Sequence, residues 1–194
     1  MTAAPPIRTA TRVLATMAVM GMCAVVWHNL PAGSDVYAPF PVSGVVGEPA
    51  RGRGIVATVT GIQIAPQLVI ESAGGGERFS AVGQWVVVQT SLQSGDRPEV
   101  AHADLTVGSR VYLPTGRLPS GSTLGGDIEP GFVSNGAWIF DVAPEPLGTE
   151  PVTLRTWVGD GRLDSRLDIA LDLRETVIPR TDLATASLIQ VRTA

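Results

Sequence analysis

The sequence of 194 residues predicts a mainly β protein: an antiparallel sandwich carried behind one N-terminal transmembrane helix. Three observations predict it. The stretch Val13–Leu30 holds no charged side chain. After Gly54 the apolar residues recur with a period of two rather than 3.6. These alternating runs are short and punctuated by Gly, Pro, Asp and Ser, as in antiparallel sandwiches and barrels.

The apolar stretch sets the address. As a helix it is roughly 27 Å long at ~1.5 Å per residue, which just reaches across a hydrocarbon core. Arg8 and Arg12 precede it, and the first charge after it is Asp35. The positive-inside bias therefore places residues 1–12 in the cytoplasm, 13–30 in the membrane as a signal anchor, and the rest outside. Trp27 and His28 suit a membrane–water interface. The alternative is a cleaved secretory signal, for which Leu30-Pro31-Ala32 is a poor cleavage site and the apolar run too long. Lipidation at Cys23 needs a small residue where Met22 stands, and apolar Ala24, Val25 and Val26 follow.

Composition narrows the function classes. The formal charge is −4, and the exported part carries all 18 acidic residues, which leaves no electrostatic footprint for nucleic acid or anionic lipid. Cys23 is the sole cysteine and lies in the span. Disulfides, thiolate metal sites and cysteine nucleophiles are thereby excluded outside the membrane. Residues 31–53 are rich in Pro, Gly, Ala and Ser and read as a tether. Tyr37, Phe40 and Val45-Val46 interrupt it, lying on the membrane surface or, better, packing against the domain edge.

Residues 54–175 carry the strands. Ile55, Ala57 and Val59 share a face, and Ile62 and Ile64 continue in the opposite phase, with Gly61 at the slip as in a β-bulge. Leu68–Ile70 reads as a short second strand. Trp85-Val86-Val87-Val88 is apolar on both faces, as a central strand is. Leu105–Val107 and Arg110–Leu113 are short strands about Gly108. Ala137–Val142 turns Trp138, Phe140 and Val142 one way and Ile139 and Asp141 the other. Val152, Leu154, Thr156 and Val158 alternate likewise. Arg162–Arg174 is the fullest alternation, with Leu163 through Leu173 inward and the charged residues outward. Asp160-Gly161 ahead of it signals a hairpin turn. Residues 176–194 form a C-terminal tail in which Ala184–Val191 reads equally as edge strand, short helix or disorder.

Several of these segments resemble one family. Ile128-Glu129-Pro130-Gly131 with Gly136 to Pro144 (GAWIFDVAP) is similar to a recurring element of the telokin-like, immunoglobulin-like domains of bacterial exported proteins. Gln84 to Leu92 resembles that family's first long core strand, and Val107 to Tyr112 its following strand. The resemblance covers roughly Gly54 to Arg174 and implies an immunoglobulin-like antiparallel β-sandwich. It implies no catalytic residues, and a fold does not carry a function.

Chemistry-bearing residues are sparse. His102 is the one exported histidine, with Asp104 on the same strand face, and a hydrolase would have to use it with a hydroxyl such as Ser91 or Ser109. No nucleophile elbow is present. Zinc fails on ligand count. Asp160, Asp164, Asp168 and Asp172 interleave with Arg162, Arg166 and Arg174, a charge-paired face rather than a calcium loop. Gly74-Gly75-Gly76 and Gly125-Gly126 open no helix and read as loops. Trp85 and Trp138 fall in buried patterns, whereas Trp157 shares with Thr153 and Arg155 the face away from Val152, Leu154, Thr156 and Val158, which is either solvated or covered. Trp157 is the candidate partner contact.

The expectation is a non-catalytic binding or accessory module of the cell envelope, held by one span and meeting an envelope or membrane protein, with no cofactor and no metal. The alternative is a structural subunit of a membrane complex that uses helix and domain together; a His102 hydrolase is the third class.

Overall fold

A computed structural model describes residues 6–30, 36–72, 75–174, 178 and 180–193. Asp35, Gly74 and the Pro31-Ala32 pair lie outside the described residues. The chain forms two units, residues Met1–Ala38 and Pro39–Ala194.

In the first unit, helix α1 runs Pro6–His28. Proline fits a first helical turn, where its missing N–H has no partner to lose. The segment apolar enough to cross a membrane is Ala10–His28, with mean hydropathy 1.6 and no part of it buried. It begins earlier and ends sooner than the expected 13–30, because arginine is a good helix former and Arg12 does not stop propagation. Asn29 ends the helix: its Nδ2 donates to the Val25 carbonyl at 2.8 Å and its N–H to Val25 and Val26. Leu30 therefore lies past the last turn.

The second unit is a sandwich of two six-stranded sheets among the described residues. Its strands are β1 (Phe40–Val45), β2 (Ala50–Arg51), β3 (Ile55–Ser72), β4 (Gly75–Ser94), β5 (Glu99–Val107), β6 (Arg110–Tyr112), β7 (Gly126–Ile128), β8 (Phe132–Val142), β9 (Val152–Val158), β10 (Ser165–Leu171), β11 (Leu183–Ser187) and β12 (Gln190–Thr193). One sheet runs β1-β10-β9-β5-β6 with β7 beside β5; the other runs β11-β3-β4-β8-β12 with β2 beside β3. The β4–β5 and β8–β9 connections cross between sheets while β9–β10 is a hairpin. The core between the sheets includes Ile55, Val86, Val88, Trp138, Phe140, Leu154, Leu167 and Ile169.

A second apolar layer lies on the far side of β4 and β8. Trp85, Val87, Ala137 and Ile139 are covered there by Leu68 and Ile70 of β3 and by Ala184 and Ala186 of β11. This explains the apolar run Trp85–Val88: β4 is central in its sheet and buried on both faces. The indole N–H of Trp85 donates to the Phe79 carbonyl at 3.1 Å, and the Arg117 guanidinium lies 5.0 Å above its ring.

The structure corrects several expectations. The edge pairs β1–β10 and β11–β3 are parallel, so the sandwich is not wholly antiparallel. The tether is shorter than 31–53, since β1 and β2 belong to the sandwich. Gly44 hid β1 from a composition reading, yet a Cβ there would sit 2.8 Å from that of Ala50, so only glycine lets the strand approach. Leu68–Ile70 continues β3 past a second irregularity at Ala65/Gln67; the first falls at Val59/Gly61, where the phase slips. Residues 176–194 are not only tail: β11 and β12 extend the second sheet, and the Gln63 amide brackets Thr185, accepting its N–H and donating to its carbonyl.

The alternation of Arg162–Arg174 is cut to Ser165–Leu171. Gly159 and Gly161 take positive φ (61° and 69°), and Asp160 Oδ1 accepts the Arg162 N–H at 2.9 Å. The turn so made consumes Leu163, which is 47% exposed at φ 51° and takes no part in the core.

Candidate interaction face

The outer face of the first sheet gathers most of the residues singled out above. Strands β5, β9 and β10 lie side by side, and their register sets side chains in rows. His102 is opposite Trp157, and Trp157 is opposite Arg166. In the next row Asp104 is opposite Arg155, and Arg155 is opposite Asp168. Parity alone put His102 with Asp104 and Trp157 with Arg155; pairing of the strands joins the two sets.

The upper row is aromatic. The His102 and Trp157 rings stack at 5.9 Å between centroids with 24° between planes. His102 is exposed and Trp157 half-buried. One edge of the indole rests on Gly161, where a Cβ would meet Cδ1 at 2.8 Å. The turn glycine thus serves the hairpin through its φ and Trp157 through its lack of a side chain.

The lower row is ionic. Arg155 donates to both oxygens of Asp104, at 2.5 and 2.6 Å, and the Asp104 residue is only 6% exposed. Arg166 donates to both oxygens of Asp168, at 2.7 and 2.9 Å. The hydrogen bond to Asp168 raises the Arg166 pKa, partial burial works against it, and the Asp168 and Asp104 charges add to the rise. Further along, Asp172 is held down at about 2 by the side-chain and backbone hydrogen bonds of Arg174. These carboxylates are committed to arginines. Their charges cancel within the face.

Such a face presents aromatic surface over a neutralised polar ground. Both Asp104 oxygens accept from Arg155, which holds the carboxylate toward β9. Ser91 sits on β4 in the opposite sheet, on the side away from the core residue Leu92. The thickness of the sandwich separates it from His102. Ser109 lies in the turn beyond the far end of β5, roughly 20 Å along the strand direction. Asp160, Asp164, Asp168 and Asp172 do not converge, and no three His, Cys, Asp or Glu cluster among the described residues. Trp85 and Trp138 are each 1% exposed, on opposite faces of the second sheet. Gly125 lies against Trp138, where a Cβ would stand 3.3 Å from Cζ3.

Sequence reasoning undervalued Arg155, which counted there only as a marker of the solvated face. Its alternation was visible, but its partner was not. Naming Asp104 requires knowing that β5 and β9 are neighbours and in which register.

No family model matches the chain, and no curated protein does. Among solved structures it is similar to the crystal structure of an uncharacterized beta-sandwich protein from Clostridium difficile 630. The two are 14% identical, the match covers 72% of this chain and 99% of the other, and the TM-score is 0.45.

Proposed function

We propose that the protein is a membrane-anchored, extracytoplasmic β-sandwich of the telokin-like, immunoglobulin-like kind, acting as a non-catalytic binding or accessory module of the cell envelope. The observation that carries this reading is the His102–Trp157 stack, an aromatic pair on a sheet face whose charges are already paired internally. A large aromatic side chain left partly exposed on an otherwise polar face is a common anchor of a protein–protein contact. Three segments that resemble the family fall on β4, on the β5–β6 turn and on β8, which supports that reading too.

Two experiments test it. A photo-crosslinker at His102 in intact cells is expected to capture a discrete envelope protein, and Trp157→Ala to abolish the adduct. Loss of the indole should cost about 2–3 kcal/mol of stability, about 1 from the aromatic pair and the rest from the partly buried ring. A fall above about 5 kcal/mol would make Trp157 a structural residue and remove the argument. The second concerns the anchor. Mass spectrometry of the membrane-extracted protein is expected to recover the N-terminal segment intact, whereas a mature chain starting after Leu30 would replace the anchor with cleaved secretion.

A further inference from the structure

We infer that the corner of the sandwich formed by Phe40 and Leu163 inserts into the lipid surface of the membrane that carries the chain, an inference that rests on the anchored reading above.

Leu163 is the starting point. Among the described residues it is the one non-glycine residue at positive φ, 51°, and its side chain is 47% exposed. L-residues avoid this backbone region, and glycine, asparagine or aspartate would occupy it at lower cost. Folding therefore gains nothing evident from a leucine here. Strain combined with an exposed apolar side chain points instead to a contact outside the domain.

Phe40 shares the corner. Its N–H donates to the carbonyl of Asp164 at 2.8 Å, it pairs with Ser165, and it is 55% exposed. The corner is a turn tip beside the start of a strand. Exposed apolar side chains at such a tip are of the kind that insert between headgroups.

Its charges suit the same surface. The Arg53 and Arg162 side chains are 72% and 71% exposed, and each meets its carboxylate, Asp164 or Asp160, only at 3.9 Å. Neither ion pair holds its guanidinium at hydrogen-bond distance. Both guanidiniums are exposed and keep N–H donors that would serve headgroup phosphates several at once. The acidic average of the domain conceals this local arrangement.

Lipid is favoured over a protein partner by the course of the chain. Phe40 follows the last residue of α1, His28, and the intervening stretch spans at most roughly 40 Å when fully extended. The tether keeps the corner within that reach of the end of the helix. Val45, at the other end of the same strand and 52% exposed, is a control of similar exposure.

The test uses the full chain with Cys23→Ser, which removes the sole cysteine. Phe40→Cys, Leu163→Cys and Val45→Cys are introduced singly. Each is labelled with a nitrobenzoxadiazole fluorophore and reconstituted in phosphatidylcholine vesicles with or without phosphatidylglycerol. Labels replacing Phe40 and Leu163 are expected to shift to the blue and lose most of their emission to a lipid-borne nitroxide, while the label replacing Val45 does neither. Leu163→Asn, whose side chain tolerates the left-handed backbone, should leave the melting temperature unchanged or higher and still reduce quenching of the label replacing Phe40. Alkaline carbonate extraction runs in parallel. Release of the chain overturns both the anchored reading and this inference. A chain that stays in the membrane with unquenched labels overturns this inference alone. So do labels shielded from aqueous iodide but untouched by the lipid nitroxide, which would show a protein covering the corner.

Discussion

Arg155→Ala is expected to destabilise the domain by about 3–5 kcal/mol, the scale for breaking a buried ion pair by removing one partner. The pair sits on an outer sheet face, where a charge pair would ordinarily contribute a fraction of that. Burial makes the difference. The side chains of Arg155 and Asp104 are 24% and 9% exposed, and both carboxylate oxygens accept from the one guanidinium. Without Arg155 the Asp104 carboxylate keeps its low-water surroundings and loses both hydrogen bonds. Arg166, committed to Asp168, compensates only in part. Replacing both members, Asp104→Leu with Arg155→Leu, should recover most of the loss, since an apolar pair of similar volume has no charge to desolvate. Urea melts of the two single variants and the double variant close the cycle. A single-variant cost below about 1 kcal/mol would place the pair with ordinary surface bridges.

The second large effect is steric. Gly83→Ala places a Cβ 2.2 Å from the Val142 carbonyl oxygen and 2.9 Å from its carbon, closer than real atoms come. Those atoms belong to the backbone of β8 and cannot rotate aside. Gly83 also belongs to the irregular stretch of β4 that Asp141 holds, accepting the N–H groups of Val82 and Gly83 at 3.0 and 2.9 Å. Relief of the clash must open the β4–β8 pairing or release Asp141, and Asp141 also pairs with Arg117 above Trp85. The expected loss is about 3 kcal/mol or more, at the upper end of overpacking. Gly116→Ala is the contrast. A Cβ there meets nothing within 4 Å, and its φ is not in the left-handed region. That change should be neutral or slightly stabilising, because alanine restricts the unfolded chain. Equal effects of the two would refute the close approach.

What the sequence disclosed and what it concealed divide along a physical line. Period-two alternation reports which face of a strand is wet, so Trp138 and Phe140 inward and Trp157 outward were legible from the residues alone. Alternation says nothing about which strand lies alongside, so the Arg155–Asp104 pair and the His102–Trp157 stack were not. Strand limits failed where small residues or strained turns intervene. Gly44 and the alanines of β11 offered little hydrophobic signal, although Ala184 and Ala186 are 0% and 2% exposed. Leu163 erred the other way: its apolar side chain continued the pattern while glycines at positions 159 and 161 had already turned the chain.

The parallel edge pairs carry a consequence for the order of folding. β1 stands at the start of the domain and closes on β10, near its end; β11 follows later still and closes on β3. A polypeptide is made from its N-terminus, so the earliest strand of this sandwich has no partner until almost the whole domain has emerged. Pairings between residues so distant in sequence are slow to form, with rates typical of all-β domains in the millisecond-to-second range. During that interval β3 and β4, a hairpin with local pairing, can assemble alone, while an apolar segment around Phe40 waits uncovered. The nascent domain is thus most open to proteolysis and misassembly along its first strand, and a chain truncated before Ser165 would leave β1 permanently unpartnered.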